Sequence, residues 1–557
     1  MTVRRDRQEE AAAVSASSKT GHGRTPYGNA PPATPAEVPE RWRIRPVEQR
    51  AWLAGGTLRP WNGPVQEVLS PIQVKTHGSN LGCYPLLSAG EGLEAVRSAA
   101  QAYDQGRGVW PTLPVEGRLE AIERFAFAMR EKREEVVRLL MWEIGKSLPD
   151  SEKEFDRTLV YIRDTIDALK ELDRTSSRFV MAEGIFGQIR RAPLGVTLCM
   201  GPYNYPLNET CTTLIPALIM GNTVLFKPAR HGVLLWSPLL VALRDCFPPG
   251  VVNIIYGDGR TIVGPVMESG LVDCLAFIGT SRTADILKKQ HPAPHRLRSV
   301  LGLDAKNPAI VLPDADLELA VRECVLGALS FNGQRCTAIK MIFVHETIYE
   351  AFLARIAEEV EALPAGNPWE DGVRITPLPE AEKPRYLSEL LAEARGFGAD
   401  VINASGGLIE GALFRPAVVA PVDSRMRLWR EEQFGPVVPV APFASVEAPL
   451  RWVVESNYGQ QVSIFGRDPA TIGALLDTLV NQVSRVNLNS QCQRGPDTFP
   501  YTGRKDSAEG TLSVSDALRV FSIRALVAAK ETGENKGLVT SILRERRSNW
   551  LSTDFIF

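Results

Sequence analysis

One cysteine stands in a setting that favours nucleophilic chemistry. Cys336 lies in the segment FNGQRCTA (331–338), directly after Arg335 and just past a strongly helical run. The thiolate is the reactive form of cysteine, and nearby positive charge lowers the pKa of a thiol. A buried structural cysteine needs no such neighbour. The segment therefore predicts that Cys336 is a nucleophile and that Arg335 supplies positive charge beside it.

A lysine at the end of a predicted strand is a candidate anion ligand. Lys227 follows the apolar run TVLF, and an ammonium at the carboxyl edge of a parallel sheet can hold ribose hydroxyls or phosphates. The alternative is a solvated lysine at a strand end. The run GDGRTIVG (257–264) approaches a dinucleotide-binding turn, but Ile262 occupies the place of the third glycine, so it is a weak signal by itself.

Strands and helices alternate around these residues. Short apolar runs predict strands at 195–200, 222–228, 251–257 and 274–279, with helical spacers such as LNETCTTLIPALIM (207–220). This alternation is typical of βαβ units, in which a parallel sheet carries helices on both faces. A second alternating region, from about 308 to 505, includes helical runs at 317–330 and 348–363 and a strand at 341–345. Ligands of such sheets bind at the carboxyl ends of the strands.

Length and composition narrow the classes of function. A chain of 557 residues predicts two or more domains. A net charge of −2 argues against nucleic-acid partners, and no apolar run is long enough for a membrane helix. The eight cysteines include no C-x-x-C pair, which favours a reducing, cytoplasmic compartment. The prolines of HPAPH (291–295) exclude the helix that would align its two histidines, so we expect no metal site.

Two terminal segments and one long helix complete the outline. Residues 1–40 are rich in Ser, Ala, Pro and Gly, which predicts a disordered extension without the apolar core of a signal peptide. Residues 531–557 are predicted to form a C-terminal tail. Between 118 and 147 the amphipathic period predicts one long helix that packs on the scaffold.

Six segments, in order along the chain, resemble the motif series of the aldehyde dehydrogenases: GPYNYPLNET (201–210), GNTVLFKPAR (221–230), FIGTSR (277–282), LDAKNPAIVLPDADL (303–317), FNGQRCTA (331–338) and EEQFGPVVPV (431–440). The resemblance covers roughly residues 60–530. It implies an α/β fold with a Rossmann-type cofactor-binding domain (41–174 and 193–304), an α/β catalytic domain (305–505) and a small β extension for oligomerisation (175–192 and 506–530). Because an exposed edge strand invites pairing, the extension implies a homodimer or homotetramer.

The resemblance also assigns roles by position. Cys336 resembles the nucleophile that attacks the aldehyde carbonyl, and Asn204 resembles the amide that stabilises the oxyanion together with the Cys336 N–H. The resulting hemithioacetal passes hydride to a nicotinamide and leaves a thioester. The residues that are similar to the family's cofactor ligands are Lys227, Thr280, Glu432 and Phe434.

One departure from the family pattern concerns the cofactor. After FKPA many NAD-dependent members carry a glutamate that binds the adenosine ribose, whereas this chain has Arg230. A carboxylate there would repel a 2′-phosphate, but a guanidinium can pair with one. We therefore expect NADP, with NAD as the alternative. If Arg230 points to solvent, this preference loses its basis.

A second departure removes the usual deacylation base. The family's E-L-G-G-K strand reads GLDAK here, so Gly302 replaces the glutamate that activates water for thioester hydrolysis. Three explanations stay open: Glu209 as a relocated base one helical turn beyond Tyr205, Asp304 as a base on the strand, or transfer of the acyl group to phosphate or coenzyme A. An impaired site that is kept for binding or structure is the remaining alternative.

The surroundings of the cysteine are rich in arginine. Arg157, Tyr205, Arg335 and Arg494 resemble the phosphate-holding set of one branch of the family, the non-phosphorylating glyceraldehyde-3-phosphate dehydrogenases, although the loop before Arg494 is longer than in that branch. Guanidinium groups suit a dianionic phosphate through bidentate hydrogen bonds. The resemblance therefore implies a phosphorylated aldehyde as substrate, with glyceraldehyde 3-phosphate oxidised to 3-phosphoglycerate as the leading hypothesis.

Overall fold

Two mostly parallel sheets, each with helices on both faces, form the bulk of the protein. The computed structural model describes residues 38–74 and 77–555, without the side chains of 73–79. The prediction of a disordered extension over 1–40 lies almost entirely outside these described residues.

The strands, in chain order, are β1 (Val47–Glu48), β2 (Ala51–Ala54), β3 (Thr57–Pro60), β4 (Val65–Val74), β5 (His77–Pro85), β6 (Phe179–Ala182), β7 (Ile185–Pro193), β8 (Val196–Met200), β9 (Thr223–Phe226), β10 (Val252–Ile254), β11 (Cys274–Ile278), β12 (Arg298–Gly302), β13 (Asn307–Val311), β14 (Ile339–His345), β15 (Asp400–Val401), β16 (Ile409–Glu410), β17 (Leu413–Phe414), β18 (Ala417–Ala420), β19 (Val437–Phe443), β20 (Tyr458–Gly459), β21 (Gln461–Phe465), β22 (Arg485–Leu488), β23 (Arg504–Lys505), β24 (Ala508–Glu509) and β25 (Ser522–Lys530).

The α-helices, in chain order, are α1 (Ala89–Tyr103), α2 (Val109–Thr112), α3 (Val115–Arg130), α4 (Arg133–Ile144), α5 (Leu148–Ser176), α6 (Asn208–Ile219), α7 (Leu240–Asp245), α8 (Gly259–Glu268), α9 (Ser281–Gln290), α10 (Leu317–Leu329), α11 (Tyr349–Glu361), α12 (Lys383–Gly396), α13 (Glu447–Glu455), α14 (Pro469–Leu479), α15 (Val514–Val520) and α16 (Gly533–Arg544).

The first sheet has the strand order β24-β12-β11-β8-β9-β10-β2-β3, and its strands from β12 to β10 are parallel. Every residue of β9 is buried, because helices cover both faces of the sheet. The predicted strands at 195–200, 222–228, 251–257 and 274–279 are β8, β9, β10 and β11, and the helix predicted at 207–220 is α6. These predictions are confirmed.

The second sheet has the order β15-β18-β19-β14-β13-β21-β22, with parallel strands from β18 to β22. The predicted helices at 317–330 and 348–363 are α10 and α11, and the predicted strand at 341–345 lies within β14. The α/β fold class predicted from the sequence is confirmed. Cys336 lies in the loop between α10 and β14.

A third, antiparallel sheet has the order β25-β7-β6 and projects from the two larger units. Its outer surface carries large apolar side chains, such as Met181 with 59% of its surface exposed and Leu526 with 60%. The predicted C-terminal tail contains α16, and the residues after this helix contact β7. There the Ser552 N–H donates to Gln188 Oε1 at 3.2 Å, and Arg190 Nη1 donates to the Trp550 carbonyl at 3.0 Å.

Two local predictions differ from the structure. The long helix predicted over 118–147 is two helices, α3 and α4, and the break lets Arg133 on α4 form a bidentate ion pair with Asp156 on α5, at 2.8 Å for both bonds. Strand β24 pairs antiparallel with β12, so part of the predicted 506–530 extension belongs to the first sheet.

Within the described ranges, no helix is both long and apolar enough to span a bilayer. The same ranges contain no cluster of three His, Cys, Asp or Glu side chains placed as metal ligands would be.

Candidate active site

The cysteine loop is built from an unusual backbone. Phe331, Asn332 and Gly333 all have positive φ, at 48°, 56° and 68°, a region that side chains other than glycine rarely adopt. Two contacts hold the loop in place. The Asn332 amide exchanges hydrogen bonds with Thr376, and a Cβ on Gly333 would come within 2.6 Å of the Gly435 carbonyl oxygen. Only glycine allows this close approach between the two loops.

Cys336 differs from the other cysteines in exposure. It is half-buried, whereas the other seven thiols are buried, and all eight are free. Its Sγ lies 2.9 Å from the Tyr501 hydroxyl, and its carbonyl accepts hydrogen bonds from Asn307 Nδ2 at 2.8 Å and Lys340 Nζ at 2.9 Å. Within the described part of the chain no backbone carbonyl accepts the Cys336 N–H. The predicted nucleophile therefore has an accessible sulfur and a free N–H donor.

Asn204 is brought to the same place from the first sheet. It lies in the loop after β8, and its Nδ2 donates to the Gln334 carbonyl at 2.8 Å, two residues before Cys336. Behind it, the buried Lys146 ammonium donates to the Asn204 carbonyl at 2.8 Å and pairs with Glu154. The other oxygen of Glu154 accepts the backbone N–H groups of Leu207 and Asn208 at the start of α6. This buried pair fixes the loop that carries Asn204.

Two of the predicted arginines lie in one buried charge cluster. Arg494 forms an ion pair with Glu209 and a second, at 3.2 Å, with Asp497. Arg157 makes a bidentate pair with the same Asp497, at 2.8 and 2.7 Å. Burial raises the pKa of Asp497, but the hydrogen bonds from Arg157 and the charge of Arg494 outweigh this effect and lower it. Two guanidiniums are thus balanced by two carboxylates.

The cluster reaches the cysteine through an aromatic ring. The guanidinium carbon of Arg494 lies 4.4 Å from the ring centroid of Tyr501, whose hydroxyl contacts Cys336. Glu209 is thus linked to the cysteine through Arg494 and Tyr501. One oxygen of its carboxylate pairs with Arg494, and the other lies 3.4 Å from Asn208 Nδ2.

The remaining members of the predicted substrate set lie close by. Tyr205 is half-buried, with the Lys146 ammonium 3.6 Å from its ring centroid and the Phe331 ring in a T-shaped contact. Arg335 is half-buried and directs Nη2 to the Gly327 carbonyl at 2.8 Å, towards the end of α10. Its Nε is buried without a hydrogen-bond partner among the described residues. The structure thus directs the Arg335 guanidinium at the end of α10, and its Nη1 forms no hydrogen bond among the described residues.

Gly302 leaves space where the family's glutamate would stand. It ends β12, and a Cβ there would meet Leu512 Cδ1 at 3.4 Å and Ile278 Cγ1 at 3.5 Å, which are ordinary contact distances. Asp304, two residues later, is bound elsewhere: its carboxylate accepts the Ser281 N–H at 2.8 Å and the Ser281 hydroxyl at 3.0 Å. Asp304 therefore anchors the start of α9, and no contact links it to Cys336.

The predicted cofactor ligands Lys227, Arg230 and Thr280 lie at the carboxyl ends of β9 and β11. Lys227 is buried, and burial lowers its pKa to about 8. Its ammonium donates to the Pro228 carbonyl at 3.2 Å. Arg230 is exposed. In the described residues, neither cation forms an ion pair with a carboxylate. Thr280 caps α9, accepting the Thr283 N–H at 3.3 Å.

Glu432 and Phe434 lie on the loop before β19 that faces the cysteine. Glu432 pairs with Lys340, which also holds the Cys336 carbonyl, and it accepts the Ala305 N–H at 3.3 Å. Burial raises the pKa of Glu432, and the Lys340 charge opposes this shift. Phe434 has a positive φ of 41° and packs edge-on against Tyr203, with ring centroids 5.9 Å apart. The structure thus joins these residues to the cysteine loop.

Sequence reasoning did not single out several residues that build this site: Lys146, Glu154, Lys340, Asp497 and Tyr501. Each is an ordinary polar residue in its local sequence, and the fold brings it to the site; Asp497 lies 340 positions from Arg157. Asp497 alone had a local signal, as a carboxylate three residues after Arg494.

Comparison with known proteins decides the family. A sequence profile of the aldehyde dehydrogenase family matches residues 61–525. The chain belongs to the aldehyde dehydrogenase family. The resemblance carried by the six segments is therefore confirmed.

Several members of the aldehyde dehydrogenase family are similar over most of their length. The NADP-dependent glyceraldehyde-3-phosphate dehydrogenase of Streptococcus equinus is 32% identical, over 83% of this chain and 96% of that protein. The enzyme of the same name from Nicotiana plumbaginifolia is 29% identical, over 77% of this chain and 86% of that protein. The crystal structure of the NADP-dependent glyceraldehyde-3-phosphate dehydrogenase from Bacillus halodurans C-125, complexed with NADP, has a TM-score of 0.80 at 30% identity and covers 87% of this chain and 100% of that chain.

Proposed function

We propose that this aldehyde dehydrogenase uses NADP to oxidise an aldehyde to its acid through a thioester on Cys336. The leading substrate is glyceraldehyde 3-phosphate and the product 3-phosphoglycerate, as the names of the relatives suggest. The observation that carries this proposal is the cysteine itself. Cys336 is the one partly exposed thiol of eight, and polar groups contact its sulfur and its carbonyl. A scaffold protein would need none of these contacts.

The proposed oxidation begins at the sulfur of Cys336. The Cys336 thiolate attacks the carbonyl carbon, and the electron pair of the C=O bond moves to oxygen. Asn204 Nδ2 and the Cys336 N–H are the donors available to this oxyanion, and preorganised donors stabilise developing charge strongly. Bound NADP supplies the hydride acceptor. Loss of hydride from the hemithioacetal leaves a thioester on Cys336, and its hydrolysis returns the thiolate.

The cofactor end fits an anionic dinucleotide. Lys227 is a buried ammonium with one hydrogen bond, which leaves donors for ribose hydroxyls or a phosphate. Arg230, three residues further on, is exposed to solvent, so it does not by itself favour NADP, and the choice of NADP rests on the NADP-dependent relatives and the NADP-complexed structure. Because neither cation has a carboxylate partner in the described structure, both are available to bind NADP. Thr280, Glu432 and Phe434 complete the proposed contacts.

The substrate end fits an anionic group through two half-buried arginines. Arg157 is paired with Asp497 through Nε and Nη2 only, and Arg335 uses only Nη2. The Nη1 groups of these two guanidiniums, which form no hydrogen bond among the described residues, are our proposed phosphate ligands. Arg494 is buried and pairs with Asp497, so we propose that it holds Asp497, the partner of Arg157, in place. We also propose that Tyr205 lines the substrate site.

For hydrolysis, Glu209 remains the proposed base. Replacing Glu209 with Gln removes the carboxylate while keeping the hydrogen-bonding shape. We expect one burst of NADPH per active site and then a stalled steady state, because the thioester accumulates. A steady-state rate that survives this change would show that Glu209 is not the base.

Transfer of the acyl group to phosphate or coenzyme A is the second candidate reaction, and Gly302 favours it because the usual base is absent there. The deciding experiment follows NADPH absorbance with glyceraldehyde 3-phosphate, with and without phosphate or coenzyme A. Unphosphorylated glyceraldehyde and NAD serve as matched comparisons. Robust turnover without either acceptor supports hydrolysis, and turnover that requires an acceptor replaces hydrolysis with acyl transfer. No turnover in any arm would contradict the proposed function.

We also propose a homodimer or homotetramer in the cytoplasm. The β25-β7-β6 sheet exposes apolar side chains, including Val180, Met181, Ile523 and Leu526, that a second copy of the chain would cover. All eight cysteines are free, which fits a reducing compartment.

A further inference from the structure

Among the described residues, the sulfur of Cys336 has one side-chain hydrogen-bond partner, the hydroxyl of Tyr501, at 2.9 Å. From the distance alone, either group can be the donor. If the phenol donates, it stabilises the thiolate; if the thiol donates, the contact keeps the sulfur protonated. The direction of this bond therefore decides whether Tyr501 helps or hinders nucleophilic attack.

A chain of amide groups settles the direction. Asn307 is fixed by backbone groups: its Oδ1 accepts the Gln461 N–H at 3.0 Å, and its Nδ2 donates to the carbonyls of Cys336 and Ala338 at 2.8 and 3.1 Å. The same Nδ2 faces Gln460 Oε1 at 3.4 Å. Flipping the Gln460 amide would set two NH₂ groups against each other, so Gln460 must present its oxygen to Asn307.

Gln460 then presents its NH₂ to Tyr501. The distance from Gln460 Nε2 to Tyr501 Oη is 3.3 Å, and both side chains are buried. The phenol oxygen accepts this bond, which leaves its single hydrogen for the sulfur. No other acceptor for the Tyr501 hydroxyl occurs among the described residues. The bond therefore runs from Tyr501 to Cys336.

The charge environment strengthens this donor. The Arg494 guanidinium lies over the Tyr501 ring, with its central carbon 4.4 Å from the centroid. A cation over the ring withdraws electron density from the phenol, which makes its O–H a better hydrogen-bond donor. Burial raises the pKa of Tyr501 well above its usual value, and the Cys336 charge acts in the same direction. The hydroxyl thus keeps its proton next to an ionised sulfur.

We propose that Tyr501 is a catalytic residue that stabilises the Cys336 thiolate by donating a hydrogen bond, oriented through Gln460 and Asn307. This inference rests on the proposed role of Cys336 as nucleophile. When sulfur bonds to the carbonyl carbon, it gives up the electron pair that accepts this bond. When the C–S bond of the thioester breaks, the pair returns to sulfur and Tyr501 donates again. Tyr501 keeps its own proton throughout the cycle.

The test measures the reactivity of Cys336 with no aldehyde or cofactor present. Iodoacetamide alkylation is followed from pH 5.5 to 10 by mass spectrometry of the Cys336 peptide, with Tyr501→Phe compared with the unchanged protein. Because Tyr501→Phe loses a charge-assisted hydrogen bond to the thiolate, we expect the pH of half-maximal alkylation to rise. Below the pH of half-maximal alkylation of the unchanged protein, the variant should react about tenfold more slowly. At high pH the two proteins should reach the same plateau rate. Tyr349→Phe is the matched control, because that buried hydroxyl has no partner in the described structure.

Several other charged groups lie near the pair, and all of them are kept in this comparison: Arg335, Arg494, Arg157, Glu209, Asp497, Lys340 and Glu432. Gln460→Leu retains the phenol but removes its orientation, so it should shift the profile upward by a smaller amount. This variant carries the test if circular dichroism shows that Tyr501→Phe is misfolded. A profile that is unchanged, or that moves to lower pH, would overturn the proposal. NADPH formation from the aldehyde by the unchanged protein is measured in a separate experiment. That experiment tests the proposed oxidation, whereas the alkylation profile tests the hydrogen bond from Tyr501 to Cys336.

Discussion

At the scale of single residues, Gly302 offers a gain of function. The space around its Cβ position accepts a side chain at ordinary contact distances, so Gly302→Glu restores the family's carboxylate without a forced clash at Cβ. If deacylation limits turnover, we expect the steady-state rate of NADPH formation to rise about tenfold or more, since a positioned base contributes strongly to hydrolysis. Gly302→Gln has the same shape without the base and should give no rise. Equal rates in the two variants would contradict this reasoning.

Lys227 gives the cofactor site a defined pH dependence. Its pKa is about 8 because burial disfavours the ammonium, and a bound phosphate favours the ammonium. NADP binding therefore takes up a proton above pH 8, and the affinity should fall as pH rises, approaching about tenfold per pH unit above pH 9. Fluorescence titration of the dissociation constant from pH 7 to 10 measures this slope. Lys227→Gln should bind NADP more weakly and with little slope, whereas a flat profile in the unchanged protein would exclude Lys227 as a cofactor ligand.

The residues of the site were only partly accessible from the sequence. Cys336 and Lys227 stood out because their chemistry shows in their immediate neighbours, and Asn204 stood out through its place in the family's motif series. Tyr501 and the Lys146–Glu154 pair did not, because their partners are distant in sequence and meet only after folding. The sequence also suggested that Arg335 directs its charge at the sulfur, but the structure turns that guanidinium towards the Gly327 carbonyl.

At the scale of elements, the Lys146–Glu154 pair joins α5 to the loop of Asn204 and to the start of α6. Both side chains are fully buried, so Glu154→Gln leaves an uncompensated buried ammonium. We expect a loss of about 3 kcal/mol in unfolding free energy, measured by urea denaturation, and a lower kcat because the Asn204 loop loses its support. Glu152→Gln on the same helix removes an exposed carboxylate and should cost less than about 1 kcal/mol. Equal losses in the two variants would show that the buried pair does not hold the loop.

Helices and strands with a clear hydrophobic pattern were predictable from the sequence, but the points at which a helix is interrupted were not. The strands from β8 to β11 were predicted because buried parallel strands are continuously apolar. The break between α3 and α4 has no glycine or proline to mark it, and it depends on tertiary contacts such as the Arg133–Asp156 pair. Strand β24 is two residues long, too short for any periodic signal, and it is fixed by its pairing with β12.

At the scale of the whole molecule, the third sheet connects the fold to assembly. Leu526 lies on its edge strand β25 with 60% of its surface exposed. If a second copy covers this surface, Leu526→Lys places a charge in an apolar contact, and light scattering should show a shift from the dimer or tetramer mass towards the monomer. Phe127→Lys changes an equally exposed side chain on α3 and should leave the mass unchanged. A monomeric unchanged protein would contradict the proposed assembly.

The central claim is that Cys336 carries the reaction as an accessible thiolate. Its most direct test is NADPH formation from glyceraldehyde 3-phosphate by Cys336→Ser, which changes one atom and keeps the surrounding hydrogen-bond donors. We predict that the rate falls by more than about 1000-fold, while NADP binding, measured by fluorescence, stays within twofold of the unchanged protein. A variant that still forms NADPH at the original rate would contradict the account.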